Sequence, residues 1–200
     1  MPEVRPATAA DLPRVGAVLA AAFADDPVWT WLASPRADWT ARASTWFERE
    51  AALHLGDHGQ VLIDADGRGA AIWAAPGHWK ASPIESRSLL VPSLRLFRER
   101  TIRGLKLVGQ MEGHHPEDPE HWYLAVLGTD PAHQGHGVGS ALIDAVTARC
   151  DAEGIGAYLE SSKEQNVPFY RRHGFEVREE LRLPGAPPMW LMWREPRERP

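Results

Sequence analysis

Apolar positions recur along this chain in two rhythms. Leu12, Val15, Leu19, Ala22 and Phe23 fall three or four apart, which predicts an amphipathic helix behind a first strand over Glu3–Pro6. Thr8-Ala9-Ala10-Asp11 supplies the start signal, with either Thr8 or Asp11 as the cap. Asp25-Asp26-Pro27 ends the helix, because Pro27 disfavours helix at Asp26. A second, aromatic-rich helix is predicted over 37–54. Gln60–Asp64 and Ala70–Ala75 read as strands flanking Ala65-Asp66-Gly67-Arg68-Gly69, a hairpin signal. From 76 to 120 the pattern is hardest to read: Pro76, Pro83 and Pro92 punctuate helix-prone pieces such as Leu94–Met111. A strong strand follows at Trp122–Leu127, then a helix over 138–153 with Val138, Leu142 and Val146 on one face. Ile155–Ser161 is a further strand, 167–173 a short helix, and Val177–Leu183 with Met189–Arg194 a closing strand pair. The charged, proline-bearing tail Glu195–Pro200 is expected to fray. With no repeat or linker, residues 1–200 read as a single domain.

Composition narrows the classes. Two hundred residues suit one domain with a substantial core. A formal net charge of −5 offers no basic field for nucleic acid and mildly favours a cationic or neutral partner. The one cysteine, Cys150, excludes an intrachain disulfide framework and fits a reducing cytoplasm. It lies among apolar positions of the 138–153 helix, as a small buried hydrophobe would. The N-terminus lacks the apolar core of a signal peptide, and no stretch approaches the roughly 18 apolar residues of a membrane span. No metal is expected: Gly56 weakens the shared helix face of His54 and His58, and His114-His115 has no nearby cysteine or repeated histidine spacing.

The most informative stretch is 121–150. Its strand leads through a Pro/Gly break into Gln134-Gly135-His136-Gly137-Val138-Gly139, which opens directly onto the helix. Alternate glycines let backbone approach a ligand closely, and a helix start aims unpaired N–H groups and partial positive charge at the same point. This chemistry holds a phosphate or diphosphate. A P-loop would need Lys-Ser/Thr where Ser140-Ala141 stand. A dinucleotide fingerprint needs G-x-G-x-x-G, and too little chain follows Glu160 for its remaining units. Gly128, inside the strand, marks a bulge or a close backbone approach.

A second motif follows: Asn166-Val167-Pro168-Phe169-Tyr170-Arg171-Arg172-His173-Gly174-Phe175. Asn166 is read as an N-cap, Pro168 sits in the first turn, and Gly174 stands where a left-handed residue ends the helix. Together, Gln-x-x-Gly-x-Gly and N-x-P-x-Y-x-x-x-G-F resemble the acyl-CoA site of the GNAT acetyltransferase superfamily. The likeness runs along the whole chain and is closest to the puromycin N-acetyltransferase branch. That branch has runs similar to Ala20-Ala21-Ala22-Phe23-Ala24-Asp25, Ala71-Ile72-Trp73, Gln110-Met111-Glu112-Gly113 and Tyr158-Leu159-Glu160-Ser161-Ser162. Two departures stand out: His133 and His136 occupy loop positions that often carry Arg or Lys, and Trp29, Trp31, Trp39 and Trp46 crowd the region 27–46.

The resemblance implies a mixed α/β (α+β) fold: a central, mostly antiparallel twisted sheet with a splayed strand pair and flanking helices. It implies acetyl-CoA as co-substrate, held by backbone at Leu127, Gly128 and Thr129, by Gln134, Gly135, His136, Gly137, Val138, Gly139 and Ser140, and by Asn166 and Tyr170. Acetyl transfer to an amine needs a neutral amine, a stabilised oxyanion and a proton for the departing thiolate. Tyr170 is the expected acid and a backbone N–H near Leu127 or Gly128 the oxyanion donor. Glu160 is the candidate base, with Glu112, His114 and His115 as alternatives. Asp26, Trp29, Trp73, Glu112 and Trp122 are the candidate acceptor contacts. The expected activity is cytoplasmic N-acetylation of a small-molecule amine, possible in a homodimer and without nucleic acid or membrane. A non-catalytic acyl-CoA sensor and a protein or peptide acetyltransferase are the alternatives.

Overall fold

A computed structural model describes residues 2–33 and 38–197. The chain runs β1 (Val4–Pro6), α1 (Leu12–Ala22), α2 (Pro27–Leu32), α3 (Trp39–Leu53), β2 (Gly59–Asp64), β3 (Gly69–Ala74), α4 (Pro83–Phe97) and α5 (Thr101–His114). It continues with β4 (His121–Thr129), α6 (Val138–Glu153), β5 (Gly156–Ser161), α7 (Val167–Arg172), β6 (Glu176–Leu181) and β7 (Met189–Arg194). The strands form one sheet in the order β1-β2-β3-β4-β5-β7-β6, antiparallel throughout except for the parallel pair β4–β5. This is the mixed α/β fold with a mostly antiparallel sheet that the family resemblance implies.

Alternation along the strands sends side chains to two cores. Val61, Ile63, Ala70, Ile72 and Val126 face α1 and α3, with Val15, Leu19, Ala43 and Phe47 packed on them. Leu62, Ala71, Trp73, Leu124 and Leu159 face α6, whose Val138, Leu142 and Val146 stripe is fully buried as its spacing predicts. Cys150 completes that stripe, and burial pushes its thiol up to about 12, so it is an inert hydrophobe.

Several elements depart from the sequence reading. Pro27 does more than end α1: it is the first residue of α2, and the buried Asp26 carboxylate caps that helix through Val28 N at 2.9 Å and Trp29 N at 3.0 Å. The predicted 37–54 helix is α3, beginning at Trp39; Ala37 lies outside the described residues. Leu94–Met111 is two helices, because the chain breaks at Arg98, where φ is +48°, while Pro92 sits inside α4. Asn166 ends a short 3₁₀ turn in a helical conformation and makes no side-chain cap. Gly174 adopts φ +88°, the left-handed stop predicted for it. The tail is held as far as Arg197, whose N–H donates to Asp151 at 2.7 Å; residues 198–200 lie outside the described residues.

Gly128 marks a close approach, and the close neighbour is α1. A Cβ there would stand 2.7 Å from Ala22 Cβ and 2.9 Å from Leu19 Cδ2. The bulge lies earlier: Ile72 pairs with Val126 and Trp73 with Leu124, which leaves Ala125 as an extra residue in β4. Gly128→Ala should therefore cost about 1–3 kcal/mol through overpacking. Gly109→Ala, at an exposed α5 position with nothing near the added carbon, should instead gain roughly 0.5–1 kcal/mol from helix propensity. Urea midpoints at unchanged m-value measure both, and equal effects would remove close packing as the reason for Gly128.

Candidate active site

Where β4 ends, the chain turns through the glycine loop. Gly135 and Gly137 adopt φ of +79° and +80°, conformations that other residues rarely take. Gly137 is also the left-handed residue from which α6 starts. The loop's polar side chains fold onto its own backbone: Gln134 Nε2 donates to Thr129 O at 3.3 Å, and His136 Nδ1 donates to Gln134 O at 2.8 Å. The loop thus leads into a helix start whose first-turn N–H groups lack partners within the helix, the kind of backbone that can hold a diphosphate. Gly139 serves packing instead, since a Cβ there would meet Phe169 Cζ of α7 at 3.3 Å.

Beyond the loop the sheet opens. β4 and β5 pair in parallel only from His121 with Gly156 to Leu124 with Leu159, and the bulge at Ala125 begins where that pairing stops. Backbone from Ala125 to Thr129 is therefore free of β5, leaving a wedge between the strands. Tyr170 of α7 is 8 % exposed; burial pushes its phenol well above its usual range, and the Asp26 charge adds to this. Asp26 is 2 % exposed and itself raised by burial, against a hydrogen bond donated by Ser162 Oγ. A cleft of about 590 Å³ opens beside them, lined by Asp25, Pro27, Ser162, Lys163, Pro188 and Trp190.

A buried polar cluster occupies the base of the wedge. The Glu160 side chain is 4 % exposed and lies 3.7 Å from His115 Nδ1. Burial and the Glu160 charge hold the Tyr123 hydroxyl far above its usual range, and Tyr158 is shifted in the same direction by the same causes. His121 Nδ1 faces Pro119 O at 2.8 Å and must donate to it, because a carbonyl only accepts. The 3.0 Å contact between the Nε2 atoms of His115 and His121 then takes its proton from His115. Burial lowers His121, consistent with a neutral ring. Trp79 stacks on His115 at 3.9 Å. Sequence reading missed Trp79, His121 and Tyr123. Tyr123 was findable only through register, as the partner of Tyr158.

Several expected acceptor contacts lie elsewhere. Trp73 and Trp122 are 0 % and 2 % exposed in the core beneath α6, because their strand positions point to that face. Trp29 packs into an aromatic cluster with Phe23, Trp39, Trp46, Phe47 and Phe97. Glu112 sits at the surface of α5 and pairs with Lys80 at 2.8 Å. Asp26 uses one carboxylate oxygen to cap α2 and the other to accept from Ser162, so it braces the cleft wall.

A glycine-lined helix start beside two parting strands is the build of an enzyme that holds a phosphate-bearing acyl carrier along a sheet edge. The sequence pattern of the acetyltransferase (GNAT) family matches residues 71–175, and the chain belongs to that family: it is an acyltransferase of the GNAT type, a family that uses acetyl-CoA as co-substrate. It is 29 % identical over 205 residues to an "Uncharacterized N-acetyltransferase C550.08" of Schizosaccharomyces pombe, covering 94 % of this chain and 81 % of that one. The fold is similar to the crystal structure of "histone acetyltransferase HPA2 and related acetyltransferase" from Corynebacterium glutamicum, with TM-score 0.72 and 26 % identity over 99 % of this chain and 98 % of that one. It is also similar in fold to arylalkylamine N-acetyltransferase 2 of Aedes aegypti, with TM-score 0.65 and 13 % identity over 96 % and 98 % of the two chains. Among the described residues, no helix is long and apolar enough to cross a membrane.

Acetyl-CoA should raise the melting temperature of the protein, since a ligand that binds only the folded state adds RT ln(1 + [L]/Kd) to stability. Gly137→Val should remove that shift, because valine cannot follow φ +80° and its side chain enters the cradle. A folded Gly137→Val protein with an unchanged shift would take the loop out of the binding site.

Proposed function

We propose that this chain is a single-domain, cytoplasmic N-acetyltransferase that moves the acetyl group of acetyl-CoA to the amine of a small molecule, in a branch resembling the puromycin N-acetyltransferases. The observation that carries this reading is a modest cleft lined by Ser162, whose hydroxyl donates to the buried Asp26 that raises Tyr170. The cleft of about 590 Å³ lies within the range of small-molecule sites, about 300–1,000 Å³. Its Trp190 wall suits an apolar body and Glu164 at its rim an amine, while Asp25 is paired with Lys163 at 2.7 Å. An extended peptide needs an open groove, and the named relatives do not decide the point: one is titled a histone acetyltransferase, another an arylalkylamine N-acetyltransferase.

In this reading the bound acetyl-CoA supplies the activated acyl thioester, with its diphosphate on the loop of Gln134 to Ser140. The side chain of Glu160, with Tyr123 and His115 around it, takes the proton from the incoming amine. Strand N–H groups freed by the parting of β4 and β5, around Ala125 to Gly128, are available to the oxyanion. Tyr170 is the proton donor to the departing sulfur. Its raised proton affinity keeps the phenol protonated across the physiological range, so it is always loaded as an acid, while its weak acidity makes placement decisive.

Tyr170→Phe keeps the ring and its packing while deleting the proton. Single-turnover acetyl transfer near pH 7 should fall by about 10²–10⁴ with acetyl-CoA affinity nearly unchanged. Glu160→Gln should lose a similar factor at neutral pH and recover as pH rises, because the amine then arrives already deprotonated. Undiminished transfer in Tyr170→Phe would assign the proton to another donor. An amine screen read by free-thiol release identifies the acceptor class, and turnover only on peptides would favour the alternative.

A further inference from the structure

One hydrogen-bonded chain joins the start of α6 to the end of α7, and the acetyl-transfer chemistry does not use it. Ser140 Oγ lies 3.1 Å from His173 Nε2, and His173 Nδ1 lies 2.9 Å from Asp144 Oδ1. The order hydroxyl–imidazole–carboxylate is shared with hydrolytic triads, but there the carboxylate is buried, whereas Asp144 is 57 % exposed. The position points elsewhere: Ser140 is the third residue of α6, in the helix turn that the glycine loop feeds.

The available hydrogens decide what Ser140 can offer. A carboxylate only accepts, so His173 Nδ1 carries a proton and donates it to Asp144. With a neutral ring, Nε2 is bare, and the Ser140 hydroxyl must turn its proton toward it. The oxygen then presents lone pairs to the helix start, which suits no phosphate. With a protonated ring, Nε2 donates to Ser140 Oγ, and the hydroxyl proton is released to donate to an anion. The same cation adds positive charge beside the cradle.

The charged groups and ring that face His173 come from α6, α7 and β7. Asp144 of α6 favours the cation, and the Phe169 ring packs against the imidazole at 5.0 Å. Arg171 and Arg172 precede it in α7, and Arg194 of β7 donates to its carbonyl at 3.0 Å while paired with Asp151 at 2.7 Å. An incoming diphosphate adds negative charge beside the Ser140–His173 contact, which favours a proton there.

We propose that His173, held by Asp144, is a proton-coupled part of the coenzyme site: binding of the CoA diphosphate places a proton on His173 and turns Ser140 into a hydrogen-bond donor. This rests on the reading of the glycine loop as the diphosphate cradle. The test is calorimetric titration of CoA into the whole protein at one pH, in buffers of differing ionisation enthalpy, which counts protons taken up. Because CoA's own phosphates titrate, the quantity read is the difference between wild type and variant. Wild type should take up about 0.5–1 proton more than His173→Gln, and its CoA Kd should rise by up to about tenfold per pH unit where His173→Gln is flatter. Should His173→Gln fail to fold, Asp144→Asn at an exposed position carries the test and should lose at least half of the uptake. Equal uptake in wild type and variants that all bind CoA overturns the coupling while leaving the loop assignment standing. Absence of CoA binding to the folded wild type overturns the loop assignment, and this inference falls with it.

Discussion

Two parallel strands that stay together for four residue pairs and then part are the constraint on which the rest of this molecule depends. A parallel pair in an otherwise antiparallel sheet needs a crossover, and here the crossover is the glycine loop with α6. The crossover therefore starts at the mouth of the wedge that the parting strands create. The glycine-lined helix start and the free strand edge come from one stretch of chain, 125–140. The bulge at Ala125 turns β4 away from β5 without breaking its ladder to β3, so the wedge opens while the sheet remains continuous on its other side.

Holding polar groups inside such a wedge is costly, and the molecule meets the cost by pairing. Asp26 is buried and raised, yet both its oxygens accept hydrogen bonds. Glu160 is buried among Tyr123, Tyr158 and His115, 3.7 Å from His115 Nδ1, and its charge with burial raises both phenols. Unpaired buried charges of this kind would neutralise by shifting their proton affinity. The partners come from α1–α2, α5, β4 and β5, so the buried polar cluster exists only when these elements are assembled.

Apolar packing explains why several tryptophans are buried away from the cleft. Trp73 and Trp122 belong to strand faces beneath α6, and burial there leaves their indole N–H groups without partners among the described residues. Trp29 is locked among other rings by the unexpected helix α2, whose existence depends on Asp26 and Pro27 together. The aromatic residues that do reach the polar cluster, Trp79 and Tyr123, come from a segment with little periodicity and from a strand register.

Local physics was readable in the chain itself. The glycine loop, the α6 stripe, the hairpin and the closing strand pair are all set by residues within one or two turns of one another: φ above zero needs glycine, and a buried helix face needs apolar side chains three and four apart. Those signals were sufficient for the elements and for the glycine-lined helix start, while the fold class followed from the family resemblance of the two motifs. Partnership across the sheet was not readable, because it depends on register. Nothing near Gly128 in sequence says that α1 presses on it, nothing near Glu160 says that His115 and Tyr123 meet it, and nothing near Ser140 says that His173 does. Only tertiary structure decided these, since each requires two elements far apart in the chain to be brought within a few ångströms by a shared core.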